Sequence, residues 1–284
     1  MTAGASLSWD NLTCQVGKKY SKTCKTLLQN NSGSVRAGDI LAILGPSGAG
    51  KSTLLNCLSE HNCAGYKTTG KISVNGSDLK TRPLFLSGYV EQSCEFFEKL
   101  TVYEHLIFRA KLKGIKPSDV EFRVLEVVNL LEMSDCLQTR IGSQGKGLSG
   151  GERKRLSFAA EILVQPQILF CDEPTSGLDS FLASKVLDAL ITINSIGTTV
   201  LCTIHQPSSI LFSKLDNIYL MEGGRKIVAG RAIDVRDGFS KVMGECPGGF
   251  NLADWYLHAM KDVQYWVAQK PPHQPPHGHF IFTE

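Results

Sequence analysis

The feature that most constrains the fold is the stretch Gly45-Pro46-Ser47-Gly48-Ala49-Gly50-Lys51-Ser52, set directly after the apolar run Ile40-Leu41-Ala42-Ile43-Leu44. A continuous apolar run of strand length is what a strand buried on both faces requires. The sequence therefore predicts a buried strand, a glycine loop and a helix beginning near Lys51, in the order of a phosphate-binding loop. Glycines let the backbone curl so that successive N–H groups point at phosphate oxygens, and the helix N-terminus adds partial positive charge. Within such a loop Lys51 is expected to reach the β and γ phosphates, Ser52 to offer its hydroxyl to Mg²⁺, and Thr53 to add a phosphate contact.

Further along, Ile168-Leu169-Phe170-Cys171-Asp172-Glu173 ends an apolar strand on two carboxylates, at the edge where a parallel sheet presents its ligands. Asp172 is expected to hold Mg²⁺ through water, and Glu173 to act as general base or to position water for attack on a γ-phosphate. A helix with Leu182, Val186, Leu190 and Ile193 on one face separates this strand from the next, Thr199 to Ile204. Strand, helix, strand implies a parallel sheet. Leu7 to Val16 has the alternation of an irregular strand, and Gly223-Gly224 suits a tight hairpin between Asn217–Met221 and Arg225–Ala229.

Between about residues 94 and 165 the pattern turns helical. Thr101 with Glu104 and Ser118 with Glu121 have capping-box spacing, and Val120, Val124, Val127, Val128 and Leu131 recur at helical intervals. Ser149 with Glu152 forms a third box, opening a helix through Leu156, Ala159, Ala160 and Leu163; it is also a second glycine-flanked helix start able to bind anions. The basic run Arg153, Lys154 and Arg155 reads as a solvated face of that helix.

A net charge of +3 lacks the concentrated basic footprint of a nucleic-acid binder, so no nucleic-acid partner is expected. The nine cysteines are odd in number and dispersed; reduced thiols in a cytosolic setting are expected, leaving the sequons at Asn11, Asn30 and Asn75 unglycosylated. The sequence has no apolar run of about eighteen residues that could span a bilayer, so membrane contact is expected through a partner. The Pro- and His-rich segment 269–284 lacks periodicity and reads as a disordered tail.

Leu148-Ser149-Gly150-Gly151-Glu152, lying between the phosphate loop and Asp172-Glu173, resembles the signature of ATP-binding cassette (ABC) ATPases. In order with it, Gln92 resembles the Q-loop glutamine, Ser176-Gly177-Leu178-Asp179 the D-loop, and His205 the switch histidine near the γ-phosphate. Thr203-Ile204-His205-Gln206-Pro207-Ser208 and Asn251-Leu252-Ala253-Asp254-Trp255-Tyr256 resemble the White (G) subfamily, although Leu252 stands where that family generally has proline. The strand ending at Val16 lacks the aromatic that stacks adenine in many relatives, which leaves Tyr20 as the candidate.

The resemblance implies an α/β P-loop NTPase: an ABC-type ATPase core with an N-terminal antiparallel β portion and an inserted helical lobe, together forming a nucleotide-binding domain over residues 1–268. It implies ATP and Mg²⁺ as cofactors, with Ser52, Gln92 and Asp172 around the metal and Glu173, His205 and Gln92 in catalysis. A second ABC nucleotide-binding domain, in a homo- or heterodimer, would supply its Ser149 to the γ-phosphate in trans. Relatives of this type act at the cytoplasmic face of a membrane and export or flip hydrophobic molecules such as lipids, sterols or pigment precursors. No transmembrane domain is expected within this chain, which alone is expected to be soluble. A truncated chain that dimerises with and regulates intact half-transporters is the alternative reading.

Overall fold

The computed structural model describes residues 4–17, 24–79, 87–93, 95–143, 146–205, 212 and 214–235. Its centre is a six-stranded sheet in the order β10-β9-β3-β8-β7-β6, built from β3 (Ile40–Leu44), β6 (Ser87–Val90), β7 (Ile168–Cys171), β8 (Thr199–Ile204), β9 (Asn217–Glu222) and β10 (Arg225–Arg231). All neighbours are parallel except the β9–β10 pair, an antiparallel hairpin turning at Gly223-Gly224. Strands β3 and β7 are apolar without a break because both faces of the sheet are covered there. Ile40, Ala42 and Leu44 pack into one hydrophobic cluster while Leu41 and Ile43 pack into the other; Leu169 and Cys171 divide from Ile168 and Phe170 in the same way.

On one face lie α2 (Val102–Leu112), α3 (Val120–Leu130), α4 (Gly150–Ile162) and α5 (Ser180–Ser195). On the other lie α1 (Lys51–Ser59) and a second, antiparallel sheet in the order β2-β1-β4-β5, from β1 (Leu7–Val16), β2 (Lys25–Val35), β4 (Tyr66–Val74) and β5 (Ser77–Asp78). The irregularity read into β1 is a register shift between Trp9 and Leu12, where Asn11 takes φ 49°. Buried Asn31 joins the two sheets: its Nδ2 donates to the Gly224 carbonyl at 2.8 Å and its Oδ1 accepts from the Tyr219 hydroxyl at 3.2 Å. The Gly224 N–H donates in turn to the Ala49 carbonyl at 3.0 Å, so the β9–β10 turn braces the phosphate loop from behind.

Two helix starts follow the expected chemistry. Thr101 caps α2 and Ser149 caps α4, each in a reciprocal box with the glutamate three residues on. Ser118 departs from expectation. Asp119 is the N-cap residue of α3 without a side-chain cap bond, and the Ser118 hydroxyl donates to the Asp119 carboxylate at 2.7 Å instead. The reason is a turn closed by Asp119 N–H on the Lys116 carbonyl at 2.8 Å, which holds Ser118 one residue ahead of the helix start.

A buried cation joins α3 to the end of α4. Arg123 of α3 donates from Nε to the Leu163 carbonyl at 2.8 Å and from a terminal nitrogen to the Ile162 carbonyl at 2.7 Å, closing the C-terminal end of α4. Arg123→Met keeps most of the stem and leaves two carbonyls without their charged donor; it is expected to cost about 2–3 kcal/mol of stability, read as a lowered midpoint in urea denaturation. An unchanged midpoint would show that this cap contributes nothing.

Candidate active site

Parallel pairing brings the C-terminal ends of β3, β7 and β8 to one edge of the sheet, and each end carries a predicted site segment. After β3 the chain enters the phosphate loop. Gly45 has φ 153° and passes so close to β9 that a Cβ there would stand 2.2 Å from the Met221 carbonyl oxygen. Gly50, at φ 97°, is the N-cap of α1, a conformation that L side chains rarely adopt. Lys51 opens α1 and is buried; its ammonium lies across the loop, donating to the Gly45 carbonyl at 2.9 Å and the Pro46 carbonyl at 3.1 Å. Burial lowers the Lys51 pKa from its ordinary value, opposed by the carboxylates of Glu173 and Asp172. Ser52 and Thr53 follow in the first turn of the helix.

The Asp172 carboxylate, one residue beyond β7, is the meeting point. Its Oδ1 accepts from the Ser52 hydroxyl at 2.9 Å and from the Thr203 hydroxyl at 2.6 Å. Thr203 Oγ1 also accepts from the Glu173 N–H at 2.7 Å, which helps hold Glu173 in a left-handed conformation (φ 43°) that a non-glycine residue seldom adopts. Glu173 is thereby turned toward Gln92, whose Nε2 donates to Glu173 Oε2 at 2.8 Å and to the Ser176 hydroxyl at 3.4 Å. The structure therefore gathers Lys51, Ser52, Asp172, Glu173 and Gln92. Thr203 joins them although no role was read for it in the sequence. The available signal was a hydroxyl inside an otherwise apolar stretch of strand, Val200 to Ile204.

Other predicted residues lie around this group. Asp179 caps α5, its carboxylate accepting from Phe181 N–H and Leu182 N–H at 2.9 Å each. Gly177, at φ 73°, belongs to the preceding turn. Leu148 is buried, Ser149 and Gly150 are exposed, and a Cβ on Gly150 would come within 2.9 Å of Leu178 Cδ2, so the signature and the D-loop pack closely in one chain. Glu152 closes the cap on Ser149. His205 follows β8 and is exposed. Tyr20, the segment Gln206 to Ser208 and the segment Asn251 to Tyr256 lie outside the described residues.

The oxygen set fits a hard divalent cation. Ser52 and Asp172 offer a hydroxyl and a carboxylate side by side, and Mg²⁺ characteristically takes one or two protein oxygens with the rest from water and phosphate. Among the described residues there is no cluster of three or more His, Cys, Asp or Glu that would form an all-protein cage. The Gln92 amide nitrogen is committed to Glu173 and Ser176, which leaves its carbonyl oxygen as the atom able to face a metal.

The protein-family model described as ABC transporter matches residues 28–176. The chain belongs to the ABC transporter family. Its relatives among known proteins include Protein white of Drosophila melanogaster, 43% identical over 249 residues, which are 84% of this chain and 36% of that protein. Protein scarlet of the same organism is 41% identical over 260 residues, 89% of this chain and 39% of that one. ABC transporter G family member 7 of Arabidopsis thaliana is 40% identical over 233 residues, 80% of this chain and 32% of that one. The chain thus spans under two-fifths of these relatives, and it is an ABC nucleotide-binding domain of the White/G type. A crystal structure of a nucleotide-free ATP-binding cassette from an ABC transporter superimposes with a TM-score of 0.64 at 24% identity, covering 81% of this chain and 94% of that one, which shows the fold. As an ABC domain the chain is an ATP-binding ATPase. Among its described residues no helix is long and apolar enough to cross a membrane.

Beside the Q-loop the ABC domain contains a cavity of about 560 Å³, lined by residues that include His61, Tyr89, Phe96, His105, Arg109 and Glu161, and by none of the phosphate-loop residues. His105 is 4% exposed, its Nδ1 has no hydrogen-bond partner among the described residues, and the Phe96 ring meets it edge-on at 5.2 Å. Burial, helped by the Arg109 charge, lowers the His105 pKa to about 4. A depressed histidine pKa means that the unfolded chain takes up a proton before the folded one does. The resulting stability is present above the unfolded pKa and is lost as pH falls from 6.5 toward about 4. The loss is on the order of 3 kcal/mol. His105→Phe is expected to flatten this part of the stability–pH curve, measured by urea denaturation at about pH 7.5 and about pH 4.5. Equal losses in wild type and variant would exclude His105 as the source.

Proposed function

We propose that the chain is the motor domain of a White-type transporter, binding Mg-ATP at Gly45 to Thr53 and hydrolysing it to drive export or flipping of a hydrophobic molecule. The observation that carries this reading is the connected group Ser52, Asp172, Thr203, Glu173 and Gln92, in which Glu173 as the base and the Asp172 carboxylate beside Ser52 are each held by their own hydrogen bonds. The loop N–H groups and Lys51 would hold the β and γ phosphates. Ser52 and Asp172 would hold Mg²⁺, with Gln92 facing it, and the ion would neutralise charge on the phosphate oxygens. Glu173 would take a proton from water as its oxygen forms a bond to the γ-phosphorus and the bond to the β–γ bridging oxygen breaks, releasing ADP. His205 would face the γ-phosphate.

The second half of the site would come from another ABC nucleotide-binding domain. Ser149 is exposed at the N-terminus of α4, a helix start able to bind anions, and its hydroxyl bonds within its own cap to Glu152. A head-to-tail dimer at the cytoplasmic face of a membrane, attached to transmembrane helices, would use Leu148 to Glu152 of each chain to close over the ATP of the other.

Glu173→Gln keeps the shape of the side chain while removing the proton acceptor. It is expected to bind Mg-ATP as wild type does and to lower turnover by about 10²- to 10⁴-fold, whereas Lys51→Ala is expected to lower binding and turnover together. Steady-state ATPase assays with equilibrium nucleotide binding separate the two. Turnover by Glu173→Gln at the wild-type rate would remove Glu173 from the proposed role.

A further inference from the structure

The basic run at the start of α4 is not the solvated face that its composition suggests. Arg153 turns back to donate to the Ile141 carbonyl at 3.0 Å and also to the Gly142 carbonyl, tying the helix to the segment before it. Lys154 is 7% exposed, and its ammonium donates to the Glu91 carbonyl at 3.1 Å and the Gln92 carbonyl at 2.7 Å. Three consecutive residues thus make three different attachments: Glu152 to the cap at Ser149, Arg153 to the preceding segment, and Lys154 to the Q-loop.

We propose that Lys154 is a positioning residue, which makes the placement of Gln92, and through it of the Glu173 carboxylate, depend on the position of the signature helix. The proposal rests on the hydrolytic reading of Glu173 given above. A continuous chain of bonds carries it: Lys154 Nζ to the Gln92 carbonyl at 2.7 Å, then Gln92 Nε2 to Glu173 Oε2 at 2.8 Å. β6 pairs only with β7 among the described strands, so the segment leaving it has no neighbouring strand on its outer side to fix its path. Lys154 reaches it from the helical layer instead, using a charged donor whose bonds to carbonyls are stronger than neutral ones.

The helix that provides this donor begins at Ser149, and five residues along an α-helix span about 7.5 Å, with little freedom to stretch. A displacement of α4 that carries Ser149 therefore carries the Lys154 ammonium with it. The two Q-loop carbonyls must follow or lose their donor. In a closing dimer the arrival of the signature at one ATP would thereby set Gln92 against Glu173 at the other end of the same helix's reach, linking the two sites through a single side chain.

The test uses the 284-residue chain in steady-state ATPase assays, with ATP binding measured separately. Lys154→Met is expected to lower kcat about ten- to a hundredfold, the scale of a displaced reacting group, while the KM and Kd for ATP stay within about threefold. In a Gln92→Ala background the same substitution is expected to add almost nothing, because the bond chain is already cut. Unchanged kcat, a loss that appears in KM instead, or a full multiplicative loss on top of Gln92→Ala would each overturn the proposal. Should Lys154→Met fail to fold, Lys154→Gln is expected to show the same loss in kcat alone, and a wild-type kcat there overturns the proposal. Hydrogen exchange of the amides at 91–93 separates this inference from the functional reading. If the wild-type chain hydrolyses no ATP, the functional reading falls; faster exchange at those amides in the Lys154 variant still supports the attachment, and unchanged exchange overturns it.

Discussion

The site depends on one carboxylate oxygen. Asp172 Oδ1 accepts from Ser52 on the helix that leaves β3 and from Thr203 near the end of β8, so three neighbouring parallel strands converge on a single atom. That convergence requires the register in which Leu41 and Phe170 both pair with Leu201. Slipping one strand by a residue would turn its side chains to the opposite face and separate Ser52, Asp172 and Thr203 at once. Burial of both sheet faces makes such a slip costly, and so the hydrophobic core and the chemistry are fixed by the same pairing. The β9–β10 turn reinforces this by bonding Gly224 to Ala49 and to Asn31, which braces the loop between β3 and α1 against β2 and the β9–β10 hairpin.

Much of this arrangement is legible in the sequence because its main determinants are local. Gly45 and Gly50 announce backbone conformations, the runs Ile40–Leu44 and Ile168–Cys171 announce double-sided burial, and Thr101 and Ser149 announce helix starts. Parts of the antiparallel sheet were less legible. β2 and β4 are largely exposed on one or both sides and interrupted by Gly, Asn and Ser, so they show no clean period-two pattern, and their strand state is set by pairing with β1. Ser118 has the spacing of a capping box yet lies within a turn that Lys116 and Asp119 close between them.

The least legible residues are those whose partners are distant in sequence and of the wrong apparent character. Lys154 sits in a basic run that composition assigns to solvent; it is buried because two carbonyls some sixty residues earlier accept hydrogen bonds from its ammonium. Thr203 stands in an apolar strand and could serve as a β-branched space filler, but it orders both acidic residues of the preceding strand end. In each case a polar group at a buried position is the informative sign, since such a group is stable there only when its bonds are made.

In the proposed function the gathered residues of one chain would hold the phosphates and place a base, while Ser149 is the exposed N-cap of α4. The proposed function therefore makes each ATP site a joint product of two chains. Mixing a Lys51→Ala chain with a Ser149→Ala chain measures this most directly, because in a mixed dimer both defects fall in one site and the other is whole. With equal random mixing and independent sites, two individually inactive preparations are expected to recover roughly a quarter of wild-type ATPase activity. A mixture no more active than either parent, under conditions where light scattering shows mixed dimers, would contradict the shared site.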